Sequence, residues 1–236
     1  MKVFDSTGRV PRFAAVLLVM LAFGGCAADG GAGAGREREG GARQVAAQRP
    51  LDAELAQILA LLPGRYTGPA PSGPLFHKIV PIVAPQFGDA AVFYHQISRD
   101  GFDSATPFQQ KIYVFDRDPA RTFNRMRSWV FFPKQGYANL EQDTAALRAV
   151  QPAMLMNFPL ACAIRWAPGD APARFVARVR REDCTYDSAG FKQKISPEMT
   201  YVLDRDSFAL EDILYGQNGQ PLFPPGGLLR AARQSP

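Results

Sequence analysis

Residues Arg174–Arg181 read RFVARVRR, and their side chains alternate between apolar and basic over most of this length. Successive side chains of a strand point to opposite faces, so Phe175, Ala177 and Val179 share one face. Val176 interrupts the otherwise basic second face. This alternation is typical of a half-buried β-strand whose other side meets solvent.

Eight further runs have the same β-branched and aromatic character, and turn signals such as Arg99-Asp100-Gly101 separate them. They span 76–83, 91–98, 108–115, 122–132, 162–167, 191–195, 198–204 and 207–214. Many short strands without alternating helices favour an antiparallel barrel or sandwich. We prefer the barrel, because closure removes exposed strand edges and leaves an interior that can hold a small apolar ligand.

Two segments have helical rather than strand-like spacing. The first, at the start of the domain, has apolar residues three and four positions apart and ends at Pro63-Gly64. The second, Leu140–Leu155, keeps helical spacing as far as Pro152 and predicts a short crossover helix between two halves of the sheet. The expected fold is therefore mainly β, an antiparallel barrel with an N-terminal helix and one crossover helix.

The N-terminus has the layout of a secretory signal peptide. Residues 13–25 (FAAVLLVMLAFGG) are apolar and follow Lys2, Arg9 and Arg12. A transmembrane helix needs about 20 apolar residues, so this run is too short to span a bilayer. Cys26 follows two glycines and resembles the lipobox cysteine of bacterial lipoproteins, which carries the lipid anchor. Plain signal cleavage near Ala27 is the alternative, and both place the mature chain outside the cytoplasm, facing the periplasm or the cell exterior.

The remaining sequence divides into a tether, one domain and a tail. Residues 26–50 consist mostly of Gly, Ala and charged residues, which predicts a flexible tether. Residues 51–225 are one domain's worth of sequence, and 226–236 are expected to be a C-terminal tail. The formal net charge of +5 includes cations of the signal segment 1–25. The scattered arginines that remain do not indicate nucleic-acid binding.

Two cysteines, Cys162 and Cys184, lie close together in the C-terminal half. An exported chain meets an oxidising compartment, so we expect them to form a disulfide. A loop of about 20 residues would contribute roughly 3 kcal/mol in the chain-entropy model. A zinc site is a weaker interpretation, because His77 and His95 lack the short paired spacing of zinc ligands. No metal is expected, and a reactive thiol is also disfavoured, since with a second cysteine in reach it would first be oxidised to the disulfide.

Several motifs recur in a fixed order along the chain. They are Gly64-Arg65-Tyr66, Phe93-Tyr94-His95-Gln96, Phe108–Phe115, Ala161-Cys162 with Trp166, Cys184, and Tyr215-Gly216. This series resembles the CpcT/CpeT family of chromophore lyases over roughly residues 51–223. The resemblance implies a calycin-like, lipocalin-shaped barrel that attaches a linear tetrapyrrole, or bilin, to a cysteine of a partner protein. His95 stands where the family pattern has Glu, and Ala161 where it has Gly.

Polar side chains in otherwise apolar barrel strands give the candidate ligand-binding residues, since burying them is costly unless they are paired. If they point inward, they form a polar patch on the lumen wall, with Arg65 or Lys111 as counter-charge to a bilin propionate or a fatty-acid carboxylate. An internal network of mutually satisfied groups is an equal alternative. The candidates are Arg65, Tyr66, Tyr94, His95, Gln96, Gln110 and Lys111.

His95 is a special case among these candidates. Alternation places Phe93, His95 and Ile97 on one face of their strand and Val92, Tyr94 and Gln96 on the other. An imidazole there could exchange a proton with a tetrapyrrole. A structural role is favoured instead, because no second titratable group lies near it in sequence.

The sequence therefore supports two functional hypotheses, with no catalytic residue named. One is a chromophore lyase of CpcT/CpeT type, in which a bilin is held without a covalent bond and the acceptor cysteine belongs to a partner. The other is a non-catalytic envelope lipoprotein, held at the membrane by a lipid on Cys26, that binds a small apolar carboxylated ligand or a protein partner. A third possibility is an interior filled by Phe, Leu and Met side chains.

Overall fold

The computed structural model of the protein describes residues 52–117, 123–131, 137–188 and 191–235. The expected signal peptide, the tether and the lipidated Cys26 lie outside these residues. No helix within the described ranges combines the length and apolar character needed to cross a membrane. The helices are α1 (52–61) and α2 (Thr144–Ala149). The strands are β1 (Gly64–Gly68), β2 (Leu75–Ile82), β3 (Ala91–Ser98), β4 (Gln109–Arg117), β5 (Asn124–Phe131), β6 (Leu155–Asn157), β7 (Ile164–Pro168), β8 (Phe175–Val179), β9 (Tyr186–Ser188), β10 (Gln193–Leu203), β11 (Ser207–Tyr215) and β12 (Leu229–Arg233).

Ten of these strands form a closed antiparallel ring within the described part of the chain. The order around the ring is β11, β12, β1, β2, β3, β4, β5, β7, β8 and β10, and β10 then pairs with β11. The short strands β6 and β9 lie off the ring, on β5 and β10 respectively. The predicted mainly β, calycin-like barrel with an N-terminal helix is confirmed.

Helix α1 covers one end of the barrel. Its buried residue Ile58 and the next buried position along the same face, Leu62, belong to the same core as the inward-facing Tyr66 of β1. Leu55 and Leu59 pack against that core from the partly exposed side of the helix. The apolar residues spaced three and four apart, which predicted the helix, thus form the face that closes this end of the lumen.

Arg233, near the end of the chain, holds α1 to the ring. Its guanidinium donates to the carbonyl oxygens of Pro63 and Arg205, each at 2.7 Å, and to that of Leu61. It also donates to the Tyr66 hydroxyl at 2.6 Å. A cation is favourable at the carboxyl end of a helix, where carbonyl groups lack partners. A Cβ atom at Gly64 would lie 2.5 Å from the Arg233 guanidinium, so a larger residue there would push this group away from its partners.

Three predicted elements differ from the structure. The expected tail at 226–236 contains β12, which pairs with both β1 and β11 and completes the ring. The crossover helix is shorter than Leu140–Leu155, because 3-10 turns at Leu140–Gln142 and Pro152–Met154 flank α2. The runs at 191–195 and 198–204 are parts of one strand, β10.

The disulfide between Cys162 and Cys184 is confirmed, with an S–S distance of 2.02 Å. Both cysteines are buried in the barrel core. Cys162 precedes β7 and Cys184 follows β8, so the bond joins the two ends of one hairpin where its strands leave the ring.

We predict that Arg233→Lys destabilises the protein by about 2 kcal/mol or more, because several hydrogen bonds from one charged planar group are lost. Urea unfolding at neutral pH measures this difference. Arg148→Lys, at an exposed position on α2, is the matched control and should leave the free energy of unfolding unchanged. Equal stability of the Arg233→Lys variant and the wild type would contradict the proposed clamp.

Candidate functional site

A layer of polar side chains crosses the barrel interior at mid-height. His77 Nδ1 lies 3.1 Å from His95 Nε2, and His95 Nδ1 lies 2.8 Å from the Tyr113 hydroxyl. These residues come from β2, β3 and β4, which are neighbours in the ring. All three are buried, and each ring nitrogen or hydroxyl in the chain can act as donor or acceptor. The side chains therefore form a continuous hydrogen-bonded chain inside the lumen.

An ion pair continues this layer across the lumen. Lys111 Nζ donates to Asp212 Oδ2 at 2.9 Å. Lys111 is on β4 and Asp212 on β11, which are five steps apart in either direction around the ring, so the pair spans its full width. The side chain of Lys111 is 3% exposed to solvent, whereas that of Asp212 is 25% exposed. The ion pair thus lies at the boundary between the buried interior and solvent.

The two halves of the lumen on either side of this layer differ. Toward α1 the inward-facing side chains are buried and aromatic rings contact one another; Phe93 and Phe115, for example, have centroids 5.6 Å apart. On the far side, some inward positions, such as Leu75 and Ile97, are buried, but a group of apolar ones is only partly buried. Alternation and register identify this group as Val130, Leu210, Leu214 and Leu229. We call these four residues with Asp212 the mouth of the barrel.

The polar layer is neutral except for its ion pair. Burial, and then the charge of Lys111, lowers the pKa of His77 to about 4. Burial, His77 and Lys111 lower the pKa of His95 well below its usual value. Burial raises the pKa of Tyr113 to about 12. Burial alone would lower the pKa of Lys111, but the Asp212 carboxylate, with a smaller contribution from Tyr113, outweighs it and the pKa is raised. At neutral pH the floor of the mouth therefore carries the Lys111–Asp212 ion pair beside uncharged rings.

Two polar groups at the floor of the mouth have hydrogen-bonding atoms without a partner among the described residues. An ammonium group has three N–H donors, and among the described residues Lys111 finds one acceptor, Asp212. The buried Tyr201 hydroxyl makes no hydrogen bond of good geometry to any described group. Asp212 and Tyr113 are nevertheless close enough to add to the rise in its pKa that burial causes. A buried polar group without a partner is costly, so these donors favour binding of a ligand whose atoms can accept hydrogen bonds from them.

Only part of the predicted polar patch lies in the lumen. Lys111 and His95 point inward at the floor of the mouth, and His95 has two titratable neighbours rather than none. Tyr66 also points inward but belongs to the closed end, where its hydroxyl donates to the Leu62 carbonyl at 2.9 Å. Arg65 lies outside the lumen, half exposed, with its guanidinium 3.1 Å from the carboxylate of Asp103.

Tyr94, Gln96 and Gln110 lie on the outer wall, beneath the segment that contains α2. The Tyr94 hydroxyl donates to Gln96 Oε1 at 2.8 Å and accepts from Gln110 Nε2 at 2.9 Å. Gln96 Oε1 also accepts from the backbone N–H of Asn139 at 2.9 Å. These groups satisfy one another, so of the two interpretations the mutually satisfied network applies to them, and they do not join Lys111 on the lumen wall. The predicted two faces of β3 are otherwise confirmed.

A buried lysine extends this outer network. Lys78 Nζ lies 2.9 Å from Asp103 Oδ1, 2.6 Å from Glu141 Oε1 and 2.5 Å from Asn139 Oδ1. Its three N–H donors are thus all used, in contrast to those of Lys111. The contacts fasten the loop after β3 and the turn before α2 to the barrel wall, so this lysine is structural.

Four members of the site are not among the residues predicted from the sequence: His77, Tyr113, Tyr201 and Asp212. Alternation along the predicted strands could have found Tyr113, two positions after Lys111, and pairing of adjacent strands could have placed His77 near His95. Asp212 carries no such local signal, because its partner is 101 positions away.

Comparisons with known proteins support the fold and no more. No family model matches the chain, and no curated protein matches it. The solved structure of the selenomethionine CRL protein of Arabidopsis is similar, with a TM-score of 0.56 and 10% sequence identity. The similarity covers 80% of this chain and 99% of that chain. At this identity the likeness shows a shared barrel architecture only.

We predict that acidification from pH 7 to pH 5 destabilises the protein, because the unfolded chain binds protons at its histidines while the folded lumen excludes them. The folded pKa of His77 is about 4, so this stability is present above the unfolded value of about 6.5 and is lost as pH falls toward 4. The loss at pH 5 is roughly 2 kcal/mol for His77. Urea unfolding at several pH values measures it.

The chain has two histidines, so the variant His77→Gln, His95→Gln removes every histidine from the protein. Its stability should change much less between pH 7 and pH 5 than that of the wild type. An unchanged pH dependence in this variant would show that other groups cause the effect.

Proposed function

We propose that the protein binds a small, mainly apolar ligand that carries a carboxylate, with the carboxylate at Lys111 and the apolar part against the mouth. A tetrapyrrole of the bilin class is the first candidate, on the strength of the sequence motifs. The observation that carries the proposal is a buried ammonium group with unused donors at the floor of a half-exposed apolar mouth.

The chemistry of the mouth matches such a ligand. An apolar group placed against Val130, Leu210, Leu214 and Leu229 would remove apolar surface from water, worth about 25 cal/mol per Å². A charge-assisted hydrogen bond from Lys111 would fix the carboxylate, and its strength would benefit from the buried surroundings. The neutral Tyr113 hydroxyl would offer a hydrogen bond to a ring nitrogen or carbonyl group of a tetrapyrrole, while both ring nitrogens of His95 stay paired with His77 and Tyr113. Small-molecule sites commonly combine an apolar wall with a few polar groups in this way.

The proposal includes export and a lipid anchor at Cys26. The apolar run and the lipobox-like cysteine support it, and so does the Cys162–Cys184 disulfide, since disulfides persist in oxidising compartments. The protein would then hold its ligand at the envelope surface, as a carrier.

A second candidate function is transfer of the bound ligand to a cysteine of a partner protein. The described cysteines of this chain are joined in the disulfide, so the attacking thiolate would be the partner's. Addition of that thiolate to a ligand double bond forms one C–S bond and requires one proton at the neighbouring carbon. The hydrogen-bonded chain of Tyr113, His95 and His77 favours this candidate, because it could relay that proton.

We predict that biliverdin binds to the purified full-length protein with micromolar affinity and that Lys111→Met weakens this binding at least tenfold, because the ligand carboxylate loses its counter-charge. Lys194→Met is the matched control, since Lys194 is exposed on β10 outside the lumen, and it should bind biliverdin like the wild type. Absorbance titration measures the affinities. Biliverdin dimethyl ester, which lacks free carboxylates, should bind at least tenfold more weakly than biliverdin.

Equal binding of the ester and the acid would contradict the role of Lys111. Binding of oleate without binding of biliverdin would exclude the tetrapyrrole and keep the carboxylated apolar ligand. If neither binds to the folded protein, the mouth is not a site for this class. Transfer is tested by mixing the loaded protein with a cysteine-containing acceptor and looking for a thioether adduct by mass spectrometry.

A further inference from the structure

Three arginines lie side by side on the outer wall, which is the face of the strands that points away from the lumen. Arg125 of β5 is paired in register with Arg165 of β7, and Arg165 is paired with Arg178 of β8. Their neighbours in each strand point inward, as the buried Ile164, Trp166 and Ala177 show. Like charges directly opposite one another on a sheet are destabilising. The fold therefore places an unfavourable row of cations on its surface.

The row is only partly neutralised by the protein. Arg125 pairs with Asp116 at 2.6 Å. For Arg165 and Arg178, no carboxylate among the described residues lies within ion-pairing distance. Arg165 instead stacks over the ring of Phe123, with its guanidinium carbon 4.8 Å from the ring centre. Stacking leaves the edge of a guanidinium free to donate hydrogen bonds.

Two cations of the row, Arg165 and Arg178, line a groove of about 540 Å³. Arg165, Arg174 and Arg178 contribute to it, and Thr200 adds a hydroxyl group. Arg174 is held by Asp170 at 3.2 Å, but that carboxylate is largely exposed, and such a pair contributes little. Apart from this Asp170 carboxylate, which also lines the groove, the remaining wall is mainly apolar and includes Val176, Val202 and Leu228. The groove thus has a cationic part and an apolar part.

We propose that this groove binds a phosphate group carried by an apolar tail. Guanidinium groups match phosphate because their planar fork donates two parallel hydrogen bonds, and neighbouring guanidiniums can share the oxygens of one phosphate. Arg165 and Arg178 are direct cross-strand neighbours, so their charges converge on one compact anion rather than on an extended acidic chain. The apolar wall accepts the tail. The site is separate from the mouth and does not depend on the function proposed for it.

The test uses the full-length protein and three probes: inorganic phosphate, soluble dihexanoyl phosphatidic acid, and phosphatidylcholine vesicles with or without phosphatidic acid. We expect dihexanoyl phosphatidic acid to bind at least tenfold more tightly than inorganic phosphate in calorimetry. The variant Arg165→Gln, Arg178→Gln should weaken that binding at least tenfold. Arg148→Gln, on the exposed side of α2, is the matched control and should bind as the wild type does.

The three probes also distinguish a phosphate carried by a single soluble molecule from a phosphate at a bilayer surface. Binding of the soluble probe supports a single bound molecule, and binding only to phosphatidic-acid vesicles supports recognition at a bilayer surface. Equal affinity for inorganic phosphate and the soluble probe, tighter binding of hexaglutamate, or binding that the double variant leaves unchanged would overturn the proposal. So would the absence of binding to every probe.

A stability measurement keeps the test independent of folding defects. Because the row of cations is unfavourable, the double variant should melt at the same temperature as the wild type or higher when no anion is present. Dihexanoyl phosphatidic acid should then raise the melting temperature of the wild type and not that of the variant. A lower melting temperature of the variant without ligand would show that the arginines serve the fold, and would count against a ligand site.

Discussion

The guanidinium group of Arg233 is the interaction on which the barrel's architecture depends. It joins the last strand to the carboxyl end of α1 and to the turn between β10 and β11, so elements from both ends of the domain meet at one side chain. With the ring completed there, each of its strands has two neighbours, and alternate residues must face either the lumen or the outer wall. Because α1 covers this end, access to the lumen is left to the other end.

The same strands carry two networks of buried polar side chains, one on the lumen face and one on the outer face. On β3, His95 joins the lumen layer while its neighbour Gln96 joins the network beneath the α2 segment. In the outer network, Lys78 has an acceptor for each of its three donors, although the buried Glu141 Oε2 beside it has no partner in the described part of the chain. In the inner network, Lys111 has one acceptor among the described residues and the Tyr201 hydroxyl has none. This difference between the two lysines separates a structural role from a candidate site better than residue type does.

Local pattern predicted the strands and α1 well, because alternation and helical spacing are properties of neighbouring residues. It divided β10 at Pro197, which removes a backbone donor. The structure explains why the strand continues: Pro197 lies between the stretch paired with β9 and the stretch paired with β8. The local pattern also did not predict β1. Gly68 in this strand is needed because a side chain would lie 2.4 Å from the Arg230 carbonyl oxygen. Which polar residues share the lumen depends on ring order, and no local pattern encodes ring order.

The ion pair between Lys111 and Asp212 has a consequence for folding kinetics. Its partners lie on opposite sides of the ring, so their contact requires the intervening strands on at least one side to be in register first. Contacts of such long sequence separation incur the loop-closure cost before they contribute. We therefore expect the pair to form in the last part of folding. If it forms after the rate-limiting step, its loss would speed unfolding and leave the folding rate nearly unchanged, and the pair would determine how long the folded barrel persists.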